Sequence, residues 1–139
     1  MSTRCQVEVK AKGLDWDEGS IMLYHHSDGY PEHMLECIRK GFEMIDAGWK
    51  AGRPGKMASY LCAADPGMFE PEAGFSFHGD IEYFYEIVGA NSSMGSMNEE
   101  GRWEITVYST TGKFWEKPSR KNMKKINTVI LTRSAKRGK

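Results

Sequence analysis

Two clusters of histidines and acidic residues carry the side chains best suited to chemistry in this sequence. The first runs from His25 to Asp28, with His33 a few residues further on, and the second runs from His78 to Glu82. Imidazole and carboxylate groups together bind zinc, manganese or iron(II), and an ion with an open position can activate water for hydrolysis. The candidate ligands of such a site are His26 or His25, Asp28, His78 and Asp80.

These ligands converge only if the chain folds in one particular way. Antiparallel pairing of the strand that ends near His26 with the strand that begins near His78 would bring the two clusters together. His25 and His26 are neighbours on a strand and point to opposite faces, so only one of them can join. The alternative interpretation is structural: Asp28 accepts backbone hydrogen bonds in an Asp-Gly turn, and His33 is a surface residue.

Hydrophobic periodicity predicts the elements that position these residues. Alternating apolar residues predict strands over residues 3–10, 20–26, 77–87, 102–109 and 126–132. An apolar stripe predicts a helix from Pro31 to about Trp49, and a shorter helix is expected from Pro54 to Ala64. The order ββααβββ predicts an α+β fold, a two-layer sandwich in which a mostly antiparallel sheet of about five strands packs on two helices.

The alternation also assigns the faces of the predicted sheet. The helices are expected to cover the face of Ile81, Tyr83, Tyr85 and Ile87. The opposite face, which carries Glu82, Glu86, Arg102, Glu104 and Thr106, is expected to meet solvent or a partner.

Length and composition limit the class of protein. A chain of 139 residues with 40% hydrophobic content suits one α+β domain, expected over residues 1–133, with a basic tail at 134–139. No signal peptide and no apolar run of about 20 residues are seen, so no membrane partner is expected. Cys5, Cys37 and Cys62 form no CxxC pair, which favours a reducing cytoplasm and small buried thiols. The motifs of P-loop, dinucleotide-binding, serine-hydrolase and zinc-protease sites do not occur.

The net charge of zero hides a strong asymmetry along the chain. Residues 1–112 carry nine Lys/Arg against eighteen Asp/Glu, whereas residues 113–139 carry ten against one. From the acidic body we predict an acidic face that binds a partner protein at the surface where that partner would bind nucleic acid. The candidate residues of this face are Glu82, Glu86 and Glu104. Met94 and Met97, in a connector rich in Gly, Ser and Asn, offer adaptable apolar contacts to the same partner.

The basic segment predicts a different partner, because clustered Lys and Arg gain affinity by releasing counterions from phosphates. Its candidate nucleic-acid-binding residues are Lys113, Lys117, Arg120, Lys121, Lys124 and Lys125, with Trp115 available for base stacking. The alternative is that these residues are solvated or fold back on the acidic body.

Two motifs resemble a known group of proteins. The sequence Tyr24-His25-His26-Ser27-Asp28-Gly29-Tyr30-Pro31 and the later His78-Gly79-Asp80-Ile81-Glu82-Tyr83 resemble small proteins of unassigned activity from bacteria, phages and other mobile elements. That group carries a Tyr-x-His-x-Asp-Gly-Tyr-Pro turn and a Gly-Asp-x-Glu-Tyr strand. The resemblance implies a mobile-element context, in which small charge-segregated proteins often bind host machinery, including defence nucleases.

Three functions are therefore predicted in order of preference. The first is a non-enzymatic interaction protein that inhibits a host nucleic-acid-processing or defence machine of CRISPR type, bound as a protein or nucleoprotein complex through the acidic face. The second is a nucleic-acid-binding protein that uses the basic segment. The third is a metal-dependent hydrolase with a His/Asp site, and a divalent transition metal is the one cofactor considered.

Overall fold

One six-stranded sheet forms the centre of the molecule, and two helices pack on one of its faces. In this computed structural model the chain is described over residues 3–12, 20–44, 54–73, 76–91, 97–110 and 112–132. The elements in chain order are β1 Cys5–Lys12, β2 Ile21–His25, α1 Pro31–Met44, α2 Pro54–Ala64, β3 Phe69–Pro71, β4 Tyr83–Asn91, β5 Met97–Thr110, α3 Gly112–Glu116 and β6 Met123–Thr132, with a 3₁₀ turn at Arg120–Asn122.

The strands lie in the order β3-β2-β1-β4-β5-β6. β1 and β4 pair in parallel at the centre, and the other neighbouring pairs are antiparallel. The predicted α+β class with a mostly antiparallel sheet is confirmed. The described part has six strands, and its helices and strands follow the order ββααβββαβ. The prediction was five strands in the order ββααβββ. The prediction missed β3 and α3 because elements of three and five residues are too short to show a periodicity.

The strand predicted over residues 77–87 begins only at Tyr83. Just before it, the backbone N–H of Glu82 donates to the carbonyl of Arg4 at 2.8 Å, which marks the entry of the chain into the sheet. Ile81 was predicted on the helix face but lies in a cluster on the opposite face. The assumed pairing of the strand before His26 with the strand after His78 is also wrong, because β1 lies between β2 and β4.

The polar face of β1 is buried at Gln6 and Glu8, although the alternation predicts one wet face. Gln6 and Glu8, on the polar face, are only 0% and 5% exposed. The side-chain amide of Gln6 donates to the Glu72 carboxylate and to the Ser76 carbonyl, and it accepts from the backbone N–H of His78. Glu72, Ser76 and His78 therefore lie over the polar face of this central strand and satisfy its buried amide.

The helix boundaries at Pro31, Pro54 and Ala64 agree with the sequence prediction. Proline fixes a helical φ and lacks the N–H that a first-turn residue would leave unpaired, which explains both starts. The predicted continuation of the first helix to Trp49, like the predicted tail at 134–139, lies outside the described residues.

α1 and α2 pack against each other in opposite directions. A Cβ at Gly41 of α1 would lie 3.2 Å from Cδ2 of Leu61 and 3.3 Å from the carbonyl oxygen of Tyr60, so glycine permits this close approach. This arrangement brings the start of α1 to the end of α2, beside the end of β2. None of the described helices is long and apolar enough to cross a membrane.

Two hydrophobic clusters of described residues hold the sheet. The larger lies under the helices and includes Val7, Leu23, Ile38, Leu61, Tyr85 and Trp103. The smaller lies on the other face, where α3 and the segment before β4 cover the sheet with Met22, Tyr24, Ile81, Phe84 and Phe114. The sheet is therefore only partly open on the face that was predicted to meet solvent.

Candidate functional site

Three ligand-type side chains from three elements meet where β2 ends, α1 begins and α2 ends. His25 is the last residue of β2, His33 lies in the first turn of α1, and Asp65 directly follows α2. Nε2 of His25 lies 2.8 Å from Oδ2 of Asp65, and Nε2 of His33 lies 3.0 Å from the same oxygen. Among the described residues this is the one group of three or more His, Cys, Asp or Glu side chains with ligand atoms within 4.8 Å of one another.

The burial of the three side chains differs. The His25 side chain is fully buried, whereas those of His33 and Asp65 are 36% and 22% exposed, so one side of the group faces solvent. Burial alone would raise the pKa of Asp65, but the hydrogen bonds from His33 and His25 outweigh it and hold the pKa below its ordinary value. The carboxylate is therefore ionised at neutral pH.

The turn between the two histidines is fixed to the centre of the sheet. Asp28 has φ of 57°, the left-handed conformation that Asp tolerates better than most residues. Gly29 donates its N–H to the Thr3 carbonyl at 2.8 Å, and a Cβ there would lie 2.9 Å from Cβ of Cys5. The buried hydroxyl of Tyr85 donates to the Gly29 carbonyl at 2.7 Å. These contacts set the position of α1, and hence of its first turn, relative to β2.

The predicted metal ligands do not assemble as a group in the described part of the chain. His26 and His78 are exposed and each lies against its own glutamate, Glu70 at 2.8 Å and Glu72 at 2.6 Å. Asp80 accepts from the Tyr24 hydroxyl at 3.2 Å and lies 3.6 Å from the Arg4 guanidinium. Asp28 lies in the turn between β2 and α1. The rings of His26 and His78 both pack against the Tyr24 ring, with centroids 4.9 and 4.5 Å away.

The predicted acidic face carries its own cations. Glu86 lies 2.7 Å from the Lys10 ammonium and 3.4 Å from the Arg120 guanidinium. Burial alone would raise the pKa of Glu86, but these two cations hold it below its ordinary value. Glu104 lies 3.7 Å from Arg102. Glu82 is exposed, and Met94 and the side chain of Met97 lie outside the described residues.

Arg120 belongs to the predicted basic surface but folds back on the acidic body. Its guanidinium lies 4.8 Å from the ring centroid of Tyr108 and donates to the hydroxyl of that residue at 3.1 Å. It is also 3.9 Å from Glu8, a carboxylate that is almost fully buried. The interpretation in which basic residues return to the body therefore holds for Arg120.

The remaining basic residues of this segment stay exposed. Six Lys/Arg and one acidic residue occur between residues 112 and 132, a net charge of +5. Five lysines have exposed side chains and no ion pair with a described carboxylate: Lys113, Lys117, Lys121, Lys124 and Lys125. We call these five residues, together with Trp115, the lysine surface, although Lys124 and Lys125 are consecutive residues of β6 and point to opposite faces of the sheet.

The lysine surface rests on ordered backbone. Phe114 anchors α3 in the smaller hydrophobic cluster, while the next residue, Trp115, is 55% exposed. The Trp115 indole N–H donates to the Ile81 carbonyl at 3.3 Å and to Oγ1 of Thr110 at 3.2 Å. These two bonds fix the ring and leave a large part of it in contact with solvent.

The sequence contained a signal for the His25–His33–Asp65 group. Two consecutive helices with a short connection usually pack antiparallel, which brings the first turn of one to the end of the other. His33 and Asp65 occupy those two positions, and His25 ends the strand just before. Sequence reasoning treated His33 as a surface residue and ended the shorter helix at Ala64, just before Asp65, and so did not combine the two residues.

Comparisons with protein-family models, with curated proteins and with solved structures found no match.

Proposed function

We propose that this protein binds single-stranded nucleic acid through the lysine surface. The observation that carries the proposal is a fixed, half-exposed indole in the same chain segment as five exposed lysines that no described carboxylate neutralises. Lysines track a phosphate backbone, and an exposed aromatic ring stacks on unpaired bases of any sequence. We favour a single-stranded ligand over a duplex, because the bases of a duplex stack on one another and leave no free face for the Trp115 ring.

The other predicted functions have weaker support from the geometry. Binding of a host defence machine through the acidic face remains a prediction, but Glu86 and Glu104 are already paired with cations of the same chain. The Met94 and Met97 loop and the phage or mobile-element context remain untested predictions. A surface whose charges are satisfied internally gains little from a charged partner.

The test is fluorescence anisotropy of a labelled single-stranded oligonucleotide at several salt concentrations. Because Lys124 and Lys125 point to opposite faces of β6, at most four of the five lysines are expected to contact one strand, and the slope of log K against log salt is then about −2.8, from about 0.7 per contact on a single strand. Replacing Trp115 with Ala should weaken binding about 5- to 150-fold, which corresponds to the 1–3 kcal/mol of one stacked base.

Matched variants separate this surface from general electrostatics. Lys121→Gln with Lys124→Gln should reduce the salt slope by about 1.4, whereas Lys40→Gln, an exposed lysine on α1, should leave it unchanged. An affinity that is independent of salt would refute the proposal. So would an equal loss in Lys40→Gln, or binding of polyglutamate as tight as that of the oligonucleotide with no effect of Trp115→Ala.

A further inference from the structure

We propose that His25, His33 and Asp65 form a binding site for one divalent first-row transition metal ion, with Zn²⁺ as the best fit. The proposal is independent of the function proposed above, since the lysine surface includes none of these residues. Two imidazoles and one carboxylate are a donor set that zinc accepts, and the donors come from β2, α1 and the end of α2.

The geometry requires little adjustment to accept an ion. Zinc bonds of about 2.0–2.2 Å in a tetrahedron place ligand atoms roughly 3.3–3.5 Å apart. The two Nε2 atoms lie 2.8 and 3.0 Å from Oδ2 of Asp65, so each needs to move about 0.3–0.7 Å away from that oxygen, and the three ligand atoms all lie within 4.8 Å of one another. Both imidazoles point at the same oxygen, and they do so from different elements.

The surroundings of the group also favour a cation. Asp65 follows the carboxyl end of α2, where unpaired backbone carbonyls carry a partial negative charge. Among the described residues no Lys or Arg forms an ion pair with Asp65, so none of the described cations occupies this place. The described partners of its side chain are the two histidines.

The three protein ligands leave a fourth position of a tetrahedral ion unfilled. Because the side chains of His33 and Asp65 are 36% and 22% exposed, that position faces solvent and suits a water molecule. Cys37, one helical turn after His33, does not complete the set. Its sulfur is not among the described ligand atoms that lie within 4.8 Å of one another at this site.

A hydrogen-bonded triad that serves only to pin the helix ends is the competing explanation. In such a triad one histidine would suffice to fix Asp65, and replacement of the exposed one would affect stability without any dependence on metal. The two explanations therefore differ in whether added Zn²⁺ binds and whether that binding depends on His33.

The experiment is isothermal titration of the full chain, first treated with a chelator, with Zn²⁺. The visible spectrum of the Co²⁺ form reports the coordination number in a parallel sample. We expect one ion per chain and a rise in the thermal midpoint at saturating Zn²⁺. His33→Gln, which changes a partly exposed residue and should fold, is expected to weaken binding by at least about tenfold. Asp65→Asn is expected to do the same.

The matched controls are His26→Gln and His78→Gln, which remove exposed histidines that each lie against a single glutamate. Both should bind Zn²⁺ as the parent does. Absence of Zn²⁺ binding by the parent overturns the proposal. Unchanged affinity in folded His33→Gln, or loss of the ion in a control variant, overturns it equally.

Discussion

Replacement of Tyr85 with Phe tests whether one buried hydroxyl holds the turn between His25 and His33. Tyr85 is fully buried, and its hydroxyl makes the one hydrogen bond that the structure describes for the Gly29 carbonyl, at 2.7 Å. Burial raises the pKa of Tyr85 well above its ordinary value, so the hydroxyl is a donor at any pH at which the fold is stable.

The expected cost follows from what the substitution leaves behind. The phenyl ring keeps the packing of Tyr85, but the Gly29 carbonyl loses its partner inside the protein. An unsatisfied buried polar group costs about 1–3 kcal/mol, a large part of the roughly 5–15 kcal/mol that stabilises a typical domain. With a urea m value of about 2 kcal/mol/M, the midpoint of unfolding should fall by about 0.5–1.5 M.

Tyr83→Phe is the matched control for this measurement. Tyr83 lies two residues earlier on the same face of β4, is partly exposed, and its hydroxyl has no described hydrogen-bond partner. Its loss should cost less than about 0.5 kcal/mol. Equal midpoints for the two variants would refute the reasoning, because the difference between them isolates the bond to Gly29. A changed m value would show instead that the substitution altered the folded or unfolded ensemble.

Two further predictions concern stability. The pKa of Glu86 in the folded state is depressed below its ordinary value of 4.5. The pairing of Glu86 with Lys10 and Arg120 therefore stabilises the fold above pH 4.5, and this stabilisation is lost as the pH falls through the depressed pKa. Urea unfolding should therefore show Glu86→Gln less stable than the parent at pH 7 and nearly equal to it in acid; a constant difference would contradict this. Asp28 has a φ of 57°, so thermal unfolding should show Asp28→Val destabilised by about 1–2 kcal/mol and Asp28→Gly close to the parent in stability. Equal losses of stability in the two variants would contradict the role of backbone strain.

The parts of the fold that the sequence predicted are those with long or distinctive local signals. Pro31 and Pro54 start helices because ring geometry suits the first helical position, and the α1 stripe is long enough to show its period. The alternation likewise predicted the strands at β4 and β5, and these two strands pair antiparallel. Local chemistry sufficed in each of these cases.

The parts that the sequence did not predict depend on contacts distant along the chain. Nothing near Gln6 indicates that a segment some 70 residues later covers it. The placement of β1 between β2 and β4 separates the strands whose pairing was assumed, so the predicted metal set could not assemble as expected. Arg120 looks like its lysine neighbours in sequence, and only the fold places it over Tyr108 and beside Glu86.

The parallel pairing of β1 with β4 has a consequence for synthesis on the ribosome. Cys5 pairs with Tyr83, so the partner strand of β1 is made 78 residues after it. At about 5–20 residues per second, β1 waits roughly 4–16 s before its second neighbour exists. During that interval a nascent chain can form only the side of the sheet made of β3, β2 and β1, and one edge of β1 stays unpaired. Molecular chaperones that shield nascent strands would therefore act on this protein mainly before β4 has emerged.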